Sequence, residues 1–431
     1  MKIAIIGSGG AGMSAAWMLD EEHEVTLFER NPTIGGHAHT VEVERDGHLH
    51  HIDDGFNWFS DRMYPRYMAL LDHLQIDMRP VNMTMAFLDT RTGYELNMPP
   101  VGIGKILALL ASPRRLRTLL QLNSAVGLAQ RIVDEHDTSI SGHEFIERLG
   151  GSQDFNQNFL IPVMSGTWGC PHERTLDMAV YPLMKYIVLH KPSALGYFEW
   201  HVVEGGANAY IRKVAAALSE RSTILADNPV TAIERSPEGV QIVDNEGETH
   251  LFDHVIFACG GSDAAKILEN TQTLTAQRDA ARRFEYYTAH VATHCDPRWM
   301  PKDRKYWSVV NIRYTGDQAD ATIWDGMRFG TDVFDTYVRD DDMPNEVHHV
   351  SAFRLPLETP DFFAAQAHLG SIQGQDSVWF AGDYTQDIGS HEDAVNSSVD
   401  VVAKISPSSS RYRFLAEIPA AAKAKYPGAR N

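Results

Sequence analysis

Cysteine is scarce in this chain: 431 residues hold three, Cys170, Cys259 and Cys295, far apart and in no C-x-x-C pair. A disulfide framework and a cysteine zinc site are thereby excluded, and a reducing cytoplasm is the expected compartment. Long apolar runs are missing too. No stretch of about eighteen apolar residues occurs, and no charged leader precedes the first strand, so neither a spanning helix nor a secretion signal is expected. Positive charge is in deficit, with 38 Lys and Arg against 57 Asp and Glu and a formal net charge of -19. Nucleic acid, whose phosphates demand clustered cations, is excluded as a partner. One absence runs the other way. Between Leu96 and Val133 there is no acidic residue, while Lys105, Arg114, Arg115, Arg117 and Arg131 interrupt leucine-rich helical runs. Such a helix pair either makes peripheral contact with the inner face of an anionic membrane through 103–131, or packs its leucines inward and solvates its arginines.

What the chain does have is concentrated at its start. Lys2 to Ile6 is an apolar run fit for a buried parallel strand, and Gly7-Ser8-Gly9-Gly10-Ala11-Gly12 leads from it into the helical pattern Met13, Ala16, Trp17, Leu19. Gly7 makes the turn, Gly9 lets the backbone approach a pyrophosphate, and Gly12 lets helix pack on strand. The N–H groups of Gly10 and Ala11, at the positive end of the helix dipole, face the phosphates. A second strand, Glu24 to Phe28, ends at Glu29, placed to accept from both hydroxyls of an adenosine ribose and to repel a 2′-phosphate. Strand, turn, helix, strand and acid together predict dinucleotide binding. Arg30 to Ile34 then lead to a second glycine pair, Gly35-Gly36, followed by His37.

Further along, Thr40 to Glu44 and His48 to Ile52 alternate around Arg45-Asp46-Gly47 as a hairpin. His37, His39, His48, His50 and His51 crowd this region, but period-two strand spacing accounts for them and no metal is expected. Asp53-Asp54-Gly55-Phe56-Asn57 follows. Met63 to Leu74 has helical spacing, and Asp137 to Gly151 holds a helix from Ser141 to Gly150. The segment IPVMSGTWGCP, from Ile161 to Pro171, suits either a pocket wall or plain core. A strand from Tyr197 to His201 precedes Glu204-Gly205-Gly206-Ala207-Asn208 and another helix. Strands follow at 222–226, 229–233, 239–243 and 253–259. The alternating runs 287–296 and 306–313 read as an antiparallel sheet. Val378 to Ala381 is a buried strand ending at Gly382-Asp383, with a helix beginning near His391.

The first glycine motif, Glu29, the Gly35-Gly36 pair, IDDGFNWF, WHVVEGGANAY, THCDPRWMP and WFAGDYTQDIGSHEDAVNSS together resemble the flavin-containing amine oxidase superfamily. The similarity is to a branch of predicted NAD/FAD-binding oxidoreductases often encoded beside cyclopropane-fatty-acid synthases, and it extends over residues 1 to 403. It implies FAD as cofactor and an α/β fold: a discontinuous, glutathione-reductase-like FAD-binding Rossmann domain (1–95, 200–285 and 370–405) carrying an α+β substrate domain (96–199 and 286–369), with a tail at 406–431. It further implies that Gly55, Phe56 and Asn57 run beside the isoalloxazine and that Val230 meets the adenine. Gly382 and Asp383 would hold the ribityl or phosphate region, while His391, Asp393, Ala394 and Val395 point a helix N-terminus at N1 and C2=O. Two departures stand out: Thr293-His294-Cys295-Asp296 where the branch has Leu-His-Thr-Asp, and Gly389-Ser390-His391-Glu392-Asp393-Ala394 where it has Gly-Phe-His-Glu-Asp-Gly. His37 also stands where an Arg often follows the glycine pair, which weakens transfer of amine chemistry.

Dehydrogenation needs hydride transfer to N5 and a base for the neighbouring proton. His391 is the first candidate, and His294 with Asp296 the second. The expected activity is an FAD-dependent dehydrogenase, desaturase or double-bond isomerase acting on an apolar, fatty-acyl or lipid substrate. The alternatives are an amine oxidase, with Trp58, Trp168, Trp307 and Tyr384 as an aromatic cage, and a non-catalytic flavin-binding partner protein. The residues specify no oligomeric state.

Overall fold

The structure, a computed structural model, describes residues 1–190 and 198–419; Tyr197, the first residue of one expected strand, and the tail beyond 419 lie outside the described residues. A five-stranded parallel sheet forms the centre, in the order Val378–Phe380, His254–Phe257, Lys2–Ile6, Glu24–Phe28, Ser222–Leu225. Its strands are the short apolar runs of the sequence, as expected where helices or loops cover both faces of a parallel sheet. Helix Gly10–Leu19, buried along its whole length, lies on one face, and helix His391–Ile405 lies on that helix. Ser398 Oγ donates to Ala11 O at 2.7 Å, and Gly382 N–H donates to Ser397 Oγ at 2.8 Å, so the last helix is pinned to the first turn and to the last strand. On the other face a three-stranded antiparallel sheet, Ala232–Ser236, Gly239–Val243 and Thr249–Phe252, closes a second core around Phe28, Val230 and Phe257.

The second layer is a seven-stranded sheet in the order Val347–Pro356, Tyr286–His294, Phe334–Val338, Ala319–Trp324, Val310–Tyr314, Met85–Asp89, Tyr94–Met98. It is antiparallel apart from one parallel pair, Met85–Asp89 with Val310–Tyr314. Both early strands sit in this sheet, so the change of layer comes before Met85 and not at 95 as expected. Helix Pro360–Ser371 belongs to the other side. Its Phe362, Ala365 and Leu369 join the core of the parallel sheet, which moves the return from 370 to about 360. The expected hairpin is Thr40–Arg45 with His48–Asp53, and Phe198–Val203 pairs antiparallel with Met78–Met83.

Helix Gly142–Leu149 begins at Ser141, whose Oγ accepts from Glu144 N–H, and ends at left-handed Gly150. IPVMSGTWGCP becomes helix Ile161–Trp168. A Cβ at Gly166 would stand 2.9 Å from Ile312 Cγ2, so one face of this helix is core against the large sheet. Among the described residues no helix is long and apolar enough to cross a membrane.

Candidate cofactor and active site

The nucleotide turn is built as its glycines require. Gly7 has φ 110°, and a Cβ on Gly12 would lie 1.9 Å from Gly7 O, which forces helix and strand into contact. Gly9 is the open side: a Cβ there meets nothing nearer than Gly35 O at 4.0 Å. The helix starting at Gly10 has no side-chain cap and no acid in its first turn. Its first N–H groups therefore stay available to an anion, and the donor set fits a pyrophosphate.

Glu29 is buried. Its Oε2 accepts from Ser8 N–H (3.0 Å) and Ser8 Oγ–H (2.6 Å), and its Oε1 from Asn31 N–H (2.8 Å). A carboxylate has about four acceptor positions. Three of them are taken up by the turn itself. Arg30 reaches Asp263 at 3.0 Å. Val230 is buried in one cluster with Ala4, Ile6 and Phe28.

The second glycine pair crosses the first. Gly35 and Gly36 have φ of 130° and 56°, and a Cβ on Gly36 would stand 3.1 Å from Gly9 Cα. This loop is held from below by Asn208, whose Nδ2 donates to Ile34 O (2.9 Å) and Ala38 O (3.0 Å). Asp53 completes the clamp by accepting from Thr40 Oγ1 and from Ala207 N–H, both at 2.7 Å. The Glu-Gly-Gly-Ala-Asn motif signalled the chain's return to this domain; that its Asn would tie down the glycine loop was not visible.

Gly55 sits tight beneath His37 O, and Phe56 N–H donates to that oxygen at 2.7 Å. Asn57 Nδ2 turns back to Asp53 O at 2.8 Å. Asp383, after the buried strand, accepts from Tyr384 N–H at 2.7 Å; burial raises its pKa and the facing His37 opposes the rise. The structure thus brings Gly7 to Gly12, Gly35 to His37, Gly55 to Phe56, Asp383 and His391 together.

His391 sits differently from expectation. Its ring stacks on Phe56 (centroids 4.2 Å apart, 9° between planes), touches Tyr67 and Tyr210 edge-on, and covers Gly10, where a Cβ would come within 2.5 Å of Cε1. Nε2 lies 2.6 Å from Tyr210 Oη. Its pKa is pushed down to about 3, by burial first and by His37 second, so it is neutral at pH 7 as expected, though burial is the cause. The helix behind it is closed by a capping box. Ser390 Oγ accepts from Asp393 N–H (3.2 Å), and Asp393 Oδ2 accepts from Ser390 N–H (2.9 Å). The Asp393 carboxylate is therefore spent inside the helix end, and the N–H groups of His391 and Glu392 remain for a flavin oxygen. Ala394 and Val395 are buried behind them.

The second catalytic candidates have another task. His294 is fully buried in the large sheet, with Nδ1 accepting from Asp296 N–H (3.0 Å) and Nε2 2.8 Å from Thr336 Oγ1. Neither nitrogen is left for a substrate. Asp296 accepts from Arg298 N–H (3.0 Å) and Nε–H (2.6 Å) and from Asn345 N–H (2.9 Å), which ties down the turn after the strand. Nor do Trp168, Tyr384 and Trp307, three of the expected cage residues, meet one another in a shared ring contact. Trp168 meets Tyr186, Tyr384 meets Phe284, and Trp307 meets Trp324 and Phe334. Of the histidine crowd, His39 pairs with Asp54 at 2.6 Å. His39, Asp54 and His349 each bring a ligating atom within 4.8 Å of the others, as do Asp244, Glu248 and His250.

Unexpected is a buried ionic cluster at the start of the last helix. Lys185, on helix Val180–Leu189, is 2% exposed and ion-pairs with Asp387, which also accepts from Tyr181 Oη at 3.0 Å. Asp393 and Glu358 stand nearby, both with pKa raised by burial, and Glu358 Oε2 has no partner among the described residues. The signal in the sequence was a single lysine inside the apolar run YPLMKYIVL.

These shifts give stability a definite pH dependence. Burial raises the carboxyls of Asp53 and Asp393 to about 7 and that of Glu392 to about 8. The folded chain holds protons there that the unfolded chain releases, so this contribution is lost as pH rises through those values. Buried His391, pushed to about 3, and His190 and His294, each to about 4, act oppositely, but only below the ordinary histidine value near 6.5. Above it the carboxyls act alone. The thermal midpoint should fall between pH 6.5 and 8, by an equivalent on the order of 3 kcal/mol. A midpoint that is flat or rising over that interval, read by scanning calorimetry, would contradict these assignments.

Comparison with known proteins agrees with the geometry. A family model described as flavin containing amine oxidoreductase matches residues 11–338. A zeta-carotene desaturase of Zea mays is 48% identical over 60 residues, a match that spans 14% of this chain and only 10% of that protein. Among solved structures, a fatty acid isomerase from P. acnes that produces CLA superposes with a TM-score of 0.66 at 14% identity, over 94% of this chain and 98% of the other. Cyclohexylamine oxidase from Brevibacterium oxydans gives the same score and coverage at 16% identity. These structures share the fold. The chain belongs to the flavin-containing amine oxidoreductase family, enzymes whose cofactor is FAD.

Proposed function

We propose that this enzyme takes hydride from, or shifts a double bond within, an apolar lipid-like substrate, with fatty-acyl chains as the leading class. The observation that carries the reading is the run of rings leading away from His391. Phe56 meets Tyr64 at 5.8 Å, Tyr64 Oη lies 3.2 Å from Tyr186 Oη, Tyr186 meets Trp168 at 5.5 Å and Trp200 at 6.4 Å, and Trp200 stacks on His190 at 3.9 Å. No carboxylate or cation belongs to the run, and burial holds His190 neutral, with a pKa near 4. Such a set of rings suits methylene and polyene surface. Two of the similar proteins are named for a fatty acid and for a carotene.

The bound flavin supplies a hydride acceptor at N5. The chain must exclude water and hold a proton. Glu358 is fitted to the second task, because burial raises the pKa of its carboxyl and its Oε2 has no partner among the described residues. The stacked pair Tyr186 and Trp200 also offers π faces to a cation, which makes amine oxidation the second reading.

The test is anaerobic mixing of the yellow protein with long-chain unsaturated fatty acids, polyenes and amines. The apolar classes are expected to bleach the flavin band or to develop diene absorbance, and Glu358→Gln to slow this by about tenfold or more. Bleaching by amines alone, with stoichiometric peroxide once air is admitted, would reverse the ranking. No bleaching and no diene with any class would leave a flavin carrier without turnover.

A further inference from the structure

Helix Ile103–Leu110 is mounted with its apolar side outward. At 100° per residue Ile103, Leu107 and Leu110 share one stripe, and Lys105, Ala108 and Leu109 lie opposite. A helix resting on a water-soluble body would turn the first set inward. Here Ile103 is 78%, Leu107 59% and Leu110 60% exposed, and no residue of the helix is fully buried. Lys105, Ala108 and Leu109 instead line a narrow crevice with Leu96, Arg115 and Tyr306.

The next helix, Pro113–Asp134, buries Ala125, Val126, Ala129, Ile132 and Val133 but leaves Leu120 outside. Its exposed face carries Arg117, Leu120, Ser124 and Arg131, and Leu120 is 71% exposed. Arg114 is occupied by Asp154 (3.3 Å) and the Tyr94 ring (4.3 Å), and Arg115 by the carbonyls of Glu95 and Ala108. Arg117 and Arg131 make no ion pair among the described residues. Four large aliphatic side chains and two uncommitted guanidinium groups thus face outward, in a segment without acids, on a chain whose net charge is -19.

We propose that the exposed faces of these two helices form a docking surface for an anionic lipid bilayer, with Ile103, Leu107, Leu110 and Leu120 entering the headgroup boundary and Arg117 and Arg131 meeting lipid phosphates. Charge selects this occupant over a second copy of the chain, because a two-fold contact would set the patch against itself and bring like charges together. The proposal is independent of the substrate assigned above, and its test reads binding.

The full-length flavoprotein is floated with vesicles of phosphatidylcholine alone or mixed with phosphatidylglycerol. It should rise with the mixed vesicles and less so as salt is added. Leu107→Ser with Leu110→Ser should weaken binding by about tenfold, and Arg117→Glu with Arg131→Glu should remove the preference for anionic lipid. All four side chains are exposed, so flavin content and circular dichroism should match wild type in each variant. Absence of wild-type flotation with either vesicle, or unchanged flotation of both variants, would overturn the proposal. So would a dimer in sedimentation velocity that the serine variant abolishes while vesicles bind neither form.

Discussion

Gly12→Ala should purify colourless. The new Cβ would lie 1.9 Å from Gly7 O and 3.0 Å from Gly7 C, and both are backbone atoms. Gly7 has no room to retreat, because a Cβ on its own far side would already stand 2.7 Å from Ala258 O. Relief must come from lifting the helix off the strand, at a cost of about 3 kcal/mol or more. That movement displaces the N–H groups that face the pyrophosphate, so FAD is lost before the fold is. The control is Gly127→Ala. It sits in the middle of an exposed helix with open space around it, and should be neutral or stabilising by up to about 1 kcal/mol. Flavin absorbance and the thermal midpoint of both variants decide the matter. A yellow Gly12→Ala protein with wild-type stability would mean that helix and strand are not in forced contact.

Lys185→Met should cost about 3 kcal/mol in chemical unfolding, because it takes the cation away from the Asp387 carboxylate, which is 20% exposed and keeps the Tyr181 hydroxyl as a donor. Adding Asp387→Asn should return a large part of that loss. Asparagine suits the position because residue 387 has φ 42°, a left-handed conformation it tolerates better than most side chains. Additive losses in the double variant would show that the lysine acts by filling space and not by charge.

Much of the nucleotide half was legible because its signals are backbone signals. The run Lys2 to Ile6, the glycine spacing and the strand ending at Gly382-Asp383 constrain φ, ψ and sheet position directly, and each element formed within a residue or two of its expected place. Ser141 and Gly150 likewise marked the two ends of a helix by local chemistry. Residues whose role depends on a distant partner were harder. His294 reads as a reactive group until the turn at Asp296 and Thr336 take up both its nitrogens, and Thr336 lies 42 residues away. Lys185 stood out in an apolar run, yet its counter-ion lies 202 residues away. The stripe Ile103, Leu107, Leu110 was countable, but periodicity tells which residues share a face and not where that face looks.

The order of strands in the parallel sheet has a consequence on the ribosome. Lys2–Ile6 is the central strand, yet its neighbour His254–Phe257 is made some 250 residues later and the closing strand Val378–Phe380 later still. At about 5–20 residues per second the nascent amino terminus waits on the order of 20–75 seconds before the last piece emerges. Throughout that interval the polypeptide carries an unfinished sheet edge, and riboflavin supply during synthesis has nothing complete to bind. A translation stall just upstream of Val378 is therefore the point at which a nascent-chain chaperone would be needed most.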